Sequence, residues 1–245
     1  MALFEDIREY WDADARTYDD SQQHRPRSPM VRAAWTAALE AALPPAPARV
    51  LDCGAGTGFL SLVAASLGHR VTALDVSRAM LERLAARATE LGLEVETVAG
   101  SATEPPASAY DAVMERHLLW TLPDPSAALR AWRSAAPDGR LVLVESLWGE
   151  VDAVERGRGY LRRALHRLRQ APPEHHAEYD PDLRRSLPLG TGTHPSRLVE
   201  LALEAGWPAP RLRRLSDVEW AERAELELPE RLVGVVPRFV IMAGR

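Results

Sequence analysis

The chain has 245 residues, 46% of them hydrophobic and 27% charged, and its 30 basic and 35 acidic side chains leave a formal net charge of −5. That composition can bury a core, and it excludes disordered, fibrous and strongly basic nucleic-acid-binding classes. No uncharged apolar run approaches the roughly 18–20 residues a membrane span needs, and the N-terminus, acidic from Glu5, lacks the basic start of a secretory leader. Cys53 is the single cysteine, so no internal disulfide can form. The expectation is a soluble cytoplasmic protein of one domain with an elaboration. Every basic residue is Arg, and the chain has neither Lys nor Asn. A Walker-A lysine, a Schiff-base lysine and an Asn-Pro-Pro-Tyr base-flipping pocket are therefore excluded.

In chain order, residues 1–48 read as two helices, the second opened by Ser28-Pro29 and closed by Pro44-Pro45. Arg49 to Cys53 is a short β-type run, followed by glycines and an apolar helix from Phe59 that Gly68 ends. Arg70 to Asp75 is a second strand, and Ser77 caps a helix from Arg78 to Leu91 that Gly92 closes. Further strands are expected over 93–99, 110–114 and 140–145, with a helix from Pro125 after Asp124. Residues 151–190 form an Arg- and His-rich insertion without strands. A helix over 195–204 and strands near 211–215 and 238–242 complete the chain. Strands alternating with helices of about 10–15 residues indicate βαβ units and a parallel sheet covered on both faces.

The informative block is Asp52-Cys-Gly-Ala-Gly-Thr-Gly58. Its glycines let the chain turn off a strand and approach a ligand with no Cβ in the way. A dinucleotide fingerprint needs glycine at 59, where Phe59 stands. Asp52 at the strand end would repel a pyrophosphate but suits a nucleoside with a positively charged appendage. Asp75 ends the second strand about 20 residues beyond the loop, where an acid can accept ribose hydroxyls. Gly100-Ser-Ala102 is either a simple turn or an adenine contact.

These residues, with the segment from Tyr110 to Pro125, resemble class I S-adenosylmethionine-dependent methyltransferases, most closely the UbiE-like, small-molecule group. Pro137-Asp-Gly139 resembles that family's Pro-Gly-Gly turn. The resemblance implies a Rossmann-like α/β fold with seven strands in the order 3-2-1-4-5-7-6, the last antiparallel. It implies an N-terminal helical lid over 1–48 and a domain over 49–245 that carries a helical cap at 151–190. S-adenosylmethionine is the implied cofactor, with S-adenosylhomocysteine as product and no metal. Carried over by position, Asp52, Gly54 and Gly56 surround the methionine moiety and Asp75 holds the ribose. Val76 and Met80 line the adenine, Ser101 and Ala102 lie at its edge, and Glu115, ending the fourth strand, faces the donor. Tyr18, in an aromatic N-terminal segment, suits a sulfonium, whose charge is attracted to ring faces.

His117, His194 and Glu115 are the candidate catalytic groups, as bases or as partners of the acceptor. The plainer alternative makes His117 the start of a packed helix, Arg116 a structural ion pair and His194 a residue that merely precedes a helix. Glu174-His-His-Ala-Glu-Tyr-Asp180 has no metal-ligand spacing and reads as a solvated face. The arginines from Arg156 to Arg169, interleaved with Tyr160, Leu161, Leu165 and Leu168, read as an amphipathic cap helix. The expected activity is methyl transfer to N, O or C of a small-molecule acceptor, in natural-product biosynthesis for instance, with no membrane or nucleic-acid partner. The alternatives are methylation of RNA or protein and non-catalytic nucleoside binding.

Overall fold

The structure, a computed structural model, describes residues 2–147, 153–168, 179–192 and 194–244. Helices α1 (Ala2–Asp14) and α2 (Pro29–Ala42) precede the sheet, with a 3-10 turn over Tyr18–Asp20 between them. Then follow β1 (Arg49–Cys53), α3 (Phe59–Ser66), β2 (Arg70–Asp75), α4 (Arg78–Leu91), β3 (Val95–Ala99), β4 (Ala112–Arg116), α5 (Pro125–Ala135) and β5 (Arg140–Ser146). The remainder is α6 (Ala153–Leu168), α7 (Pro181–Ser186), α8 (Pro195–Glu204), β6 (Arg211–Arg214), α9 (Ser216–Ala224), α10 (Leu228–Val233) and β7 (Arg238–Gly244).

The seven strands form one sheet in the order β3-β2-β1-β4-β5-β7-β6. The pairs among β1 to β5 are parallel, and β7 runs antiparallel to both β5 and β6, as the resemblance implied. The central strands are apolar almost throughout because both of their faces are covered. Leu51, Val113, Leu141, Leu143 and Ile241 pack under α5 and α8 with Trp132 and Trp207. Val50, Met114, Val142 and Val240 point the other way, toward Trp35 and Leu39 of α2, Leu60 of α3 and Val218 of α9. Residues of period two on one strand thus serve two cores.

Four differences from the sequence reading bear on the site. The fourth strand lies two residues later than expected, at Ala112–Arg116, because Glu115 and Arg116 still pair with β5 although they are polar. Helix α2 buries Val31, Trp35, Leu39 and Ala42 in the core, so it belongs to the layer covering the sheet rather than to a lid over 1–48. Helices α9 and α10 were not anticipated. In α6, Tyr160 and Leu161 are exposed, so the apolar stripe expected there is not a buried one. The side chains of Arg167, Leu168 and Arg169, and the segment Glu174 to Glu178, lie outside the described residues.

Candidate active site

The parallel strands end at one edge of the sheet, and antiparallel β7 begins there. A cleft of about 1800 Å³ runs along this edge. Its floor is made by Gly54 and Gly56 after β1, Asp75 and Val76 at the end of β2, Ser101 and Ala102 after β3, Arg116 and His117 at the end of β4, Ser146 ending β5 and Arg238 opening β7. Ligands in open α/β sheets bind at this edge. Tyr10 and Trp11 of α1, Tyr18, Trp120 and Tyr179 supply aromatic walls.

One half of the cleft is built around Asp75. Its Oδ2 accepts from Gly56 N and its Oδ1 from Ser77 N, both at 2.8 Å, so one carboxylate ties the glycine loop to the start of α4. Burial pushes this carboxyl up to about 6. Gly56 has φ 54°, and a Cβ built there would meet nothing within 4 Å, which leaves the floor open. Ser77 Oγ caps α4 by accepting from Met80 N at 3.1 Å, and Met80 is buried beside it. Ala102 O accepts from Trp132 Nε1 at 2.7 Å, which fixes the turn after β3 to the core.

The N-terminal segment closes over this half through two aspartates. Asp12 Oδ1 accepts from Ser77 Oγ and Asp19 Oδ1 from Thr57 Oγ1, each at 2.6 Å. Arg83 and Arg87 stand 3.7 and 3.6 Å from Asp19 Oδ2. Tyr18 stacks on His24 with ring centroids 3.7 Å apart, and its burial pushes the phenol up to about 12.

The other half is cationic and aromatic. His117 leaves β4 with a left-handed backbone, φ 57°, a conformation that costs energy outside glycine and recurs at functional sites. Its Nε2 lies 2.8 Å from Ser146 Oγ, which accepts from Arg238 Nη1 at 2.6 Å. Arg238 is held in turn by Glu222 at 3.1 Å. Burial, then the charges of Arg116 and Arg238, drive the His117 pKa well below its ordinary value, so the ring is neutral at pH 7. Arg116 stacks over Phe59, Cζ 3.7 Å from the ring centroid, and donates from Nη2 to Gln23 O at 2.9 Å. It forms no ion pair with any described residue, contrary to the plainer reading of the sequence.

Three predicted site residues are not on the cleft wall. Asp52 is buried on the α3 side, where Ser61 Oγ donates to its Oδ2 at 2.6 Å, and burial pushes its carboxyl up to about 7. Glu115 is fully buried on the α5 face because β4 continues one residue past it, so it does not line the cleft. Its Oε2 accepts from Leu118 N, and burial raises the carboxyl to about 8. His194 is exposed and caps α8, its Nδ1 accepting from Ser196 N, and it does not line the cleft. Tyr18, Gly54, Gly56, Asp75, Val76, Met80, Ser101, Ala102 and His117 do line it. Sequence reasoning missed Ser146, Arg238, Tyr179 and Trp120. Ser146 and Arg238 were findable, since a residue ending β5 must face the residue that opens an antiparallel neighbour.

Residues 50–139 match the family described as Methyltransferase domain. The match covers less than half of the chain, and over this stretch the chain is similar to a methyltransferase domain. The chain is 39% identical over 110 residues to a ubiquinone biosynthesis O-methyltransferase of Xanthomonas axonopodis pv. citri, a match covering 43% of this chain and 46% of the relative. The chain thus spans about half the length of that curated relative. Among solved structures, geranyl diphosphate C-methyltransferase from Streptomyces coelicolor A3(2) matches with a TM-score of 0.63 at 14% identity, covering 100% of this chain and 98% of that one. Magnesium protoporphyrin IX methyltransferase from Synechocystis PCC 6803 matches with a TM-score of 0.56 at 16% identity, over 100% and 98%. At such identities the structural likeness speaks for the fold. The matched stretch holds the cleft residues from Gly54 to His117, while Tyr18, Ser146, Tyr179 and Arg238 come from outside it. No described helix is long and apolar enough to cross a membrane.

Proposed function

We propose that this protein transfers a methyl group from S-adenosylmethionine to a nucleophilic oxygen, nitrogen or carbon of a small-molecule acceptor. The observation that carries the reading is Asp75, a cleft-lining carboxylate that holds open a glycine loop with nothing above Gly56. That arrangement fits a nucleoside bearing a cationic appendage. Asp75 would accept from the ribose hydroxyls, Val76 and Met80 would flank the adenine, and Ser101 and Ala102 would meet its edge. Gly54 and Gly56 would admit the methionyl chain, and the Tyr18 ring would lie toward the sulfonium. Asp52 acts from behind the loop by holding Ser61 of α3.

When bound, the donor supplies an electrophilic sulfonium methyl. The chain's own contribution is to position the acceptor and exclude water. Alignment of two reactants near 3 Å can supply roughly 7–11 kcal/mol of the barrier. The walls formed by Tyr10, Trp11, Trp120 and Tyr179 keep this half of the cleft poor in water. Arg238 is always a donor, so Ser146 Oγ accepts from it, and we assign the Ser146 proton to the contact with His117 Nε2. With that assignment the ring proton of His117 sits on Nδ1, and His117 serves as a hydrogen-bond donor to the acceptor rather than as a base. Residues 1–25 serve as a lid and 151–190 as a cap over the acceptor. A cytoplasmic setting without a nucleic-acid partner belongs to the same reading, supported by the single cysteine and the acidic balance.

Incubation of the purified protein with S-adenosylmethionine and a metabolite panel tests this by release of S-adenosylhomocysteine. Release with RNA or protein substrates alone would overturn the small-molecule reading.

A further inference from the structure

Arg116 is a cation with no ion-pair partner among the described residues. It lines the cleft at the end of β4, and its Nη2 is satisfied by Gln23 O, but its buried Nη1 has no hydrogen-bond partner. No described carboxylate lies within ion-pair distance of it. Arg238, two strands over in the same cleft, shows the usual arrangement, with Glu222 at 3.1 Å. Asp52 occupies the same face of the adjoining strand β1, but its Oδ2 is taken by Ser61. Burial lowers the Arg116 pKa only to about 10, so the guanidinium stays charged at neutral pH. Glu222 and Asp52 act on this charge only from beyond ion-pair distance, so an anion bound at Nη1 lowers the cost of holding it partly out of water.

Tyr179 makes a second, independent demand. Its hydroxyl is buried and without a partner, while its ring packs 4.6 Å from Tyr10, 5.3 Å from Trp120 and 6.2 Å from Trp11, centroid to centroid. These rings form an aromatic wall of the same cleft that Arg116 lines. A planar ligand satisfies the rings, and an oxygen on it satisfies the hydroxyl.

We propose that Arg116 is the docking point for a carboxylate of the methyl acceptor, and that the natural acceptor is therefore an aromatic acid whose ring packs among Trp11, Trp120 and Tyr179. The inference rests on the methyltransferase reading and specifies its substrate. The Arg116 guanidinium beside a neutral His117 and the Ser146 hydroxyl suits one carboxylate, and Arg238, the cation next to Ser146, is engaged by Glu222. The donor's methionyl group also carries a carboxylate, so the test separates the two sources.

The experiment is calorimetric titration in saturating S-adenosylhomocysteine, using 4-hydroxycinnamate, indole-3-acetate and 3-hydroxybenzoate against their primary amides. Wild type is compared with Arg116→Met, which keeps the length of the side chain, and Arg116→Lys, which keeps its charge. At least one acid is expected to bind the wild type about 10- to 150-fold more tightly than its amide, the worth of a charge-assisted hydrogen bond. That preference should vanish in Arg116→Met and return in part in Arg116→Lys, with S-adenosylhomocysteine affinity within about threefold of wild type. Acids that bind no better than amides, or not at all, overturn the proposal. So does an Arg116→Met variant that keeps the acid preference and loses S-adenosylhomocysteine affinity, since Arg116 then holds the donor's carboxylate. Failure of S-adenosylhomocysteine to bind the wild type would instead sink the methyltransferase reading itself.

Discussion

Replacing Asp75 with Asn keeps the side chain's size and removes its charge. In the native structure the two carboxylate oxygens accept from Gly56 N and Ser77 N at 2.8 Å each. An Asn side chain accepts at one of these and turns an NH2 toward the other N–H. The leftover N–H costs about 1–3 kcal/mol if dry, and less here because the cleft admits water. The donor loses more than the fold does. A hydrogen bond from a ribose hydroxyl to a carboxylate contributes about 1.5–3 kcal/mol, so S-adenosylhomocysteine affinity should fall about 10- to 150-fold. The pH dependence sharpens the test. Burial holds the Asp75 carboxyl at about 6, and hydroxyl donors favour its ionised form. Wild-type affinity is therefore full above neutrality and falls as pH drops through about 6, by up to about tenfold per unit. In Asp75→Asn it should be flat. Calorimetric titration between pH 5 and 8, with circular dichroism to verify folding, reads both effects. A folded Asp75→Asn protein with wild-type affinity would refute the reasoning.

Asp19→Ala removes the bond to Thr57 and the facing charges of Arg83 and Arg87, so proteolysis within residues 1–25 should speed up. In the wild type, S-adenosylhomocysteine should slow that cleavage, and equal rates with and without ligand would make α1 a permanent wall. His117→Gln should lower acceptor kcat/KM while leaving the pH–rate profile between 6 and 8 unchanged, because the buried ring is already neutral. A wild-type limb near 6.5 that disappears in the variant would show instead that His117 acts as a base. Trp132→Phe deletes the bond to Ala102 O in a fully buried ring, costing about 1–2 kcal/mol and a few degrees in Tm. It should also weaken donor binding several-fold through the turn after β3, and a variant with unchanged Tm and affinity would contradict that link.

The parallel half of the fold was legible because β1, β2 and β5 are short apolar runs closed by Gly, Ser or Asp signals with known turn chemistry. Boundaries failed where tertiary pairing outvoted polarity. Glu115 and Arg116 look like loop residues, yet β5 extends the ladder through both. That two-residue shift decides the site, since it carries Glu115 beneath the sheet and brings Arg116 to the cleft. Helices α9 and α10 were hidden by exposed residues such as Trp220, Leu228 and Leu232, which blur an amphipathic pattern. Gly54, Gly56, Asp75, Val76, Ser101 and Ala102 follow strand ends with local turn signals, so their place on the cleft could be read from the sequence. The acceptor half assembles from β4, β5, β7 and Tyr179, segments far apart in sequence, and no local spacing announces them. His194 is a candidate because its loop is expected to border the crevice, but it is exposed and caps α8, off the residues that line the cleft.

The account stands or falls on the donor cleft, and titration of the purified wild-type chain with S-adenosylmethionine and, separately, with NADH tests it most directly. One S-adenosylmethionine per chain should bind, in competition with S-adenosylhomocysteine, and NADH should not, because Phe59 occupies the position a dinucleotide loop needs for glycine. Saturable binding of NADH with none of S-adenosylmethionine would contradict the account.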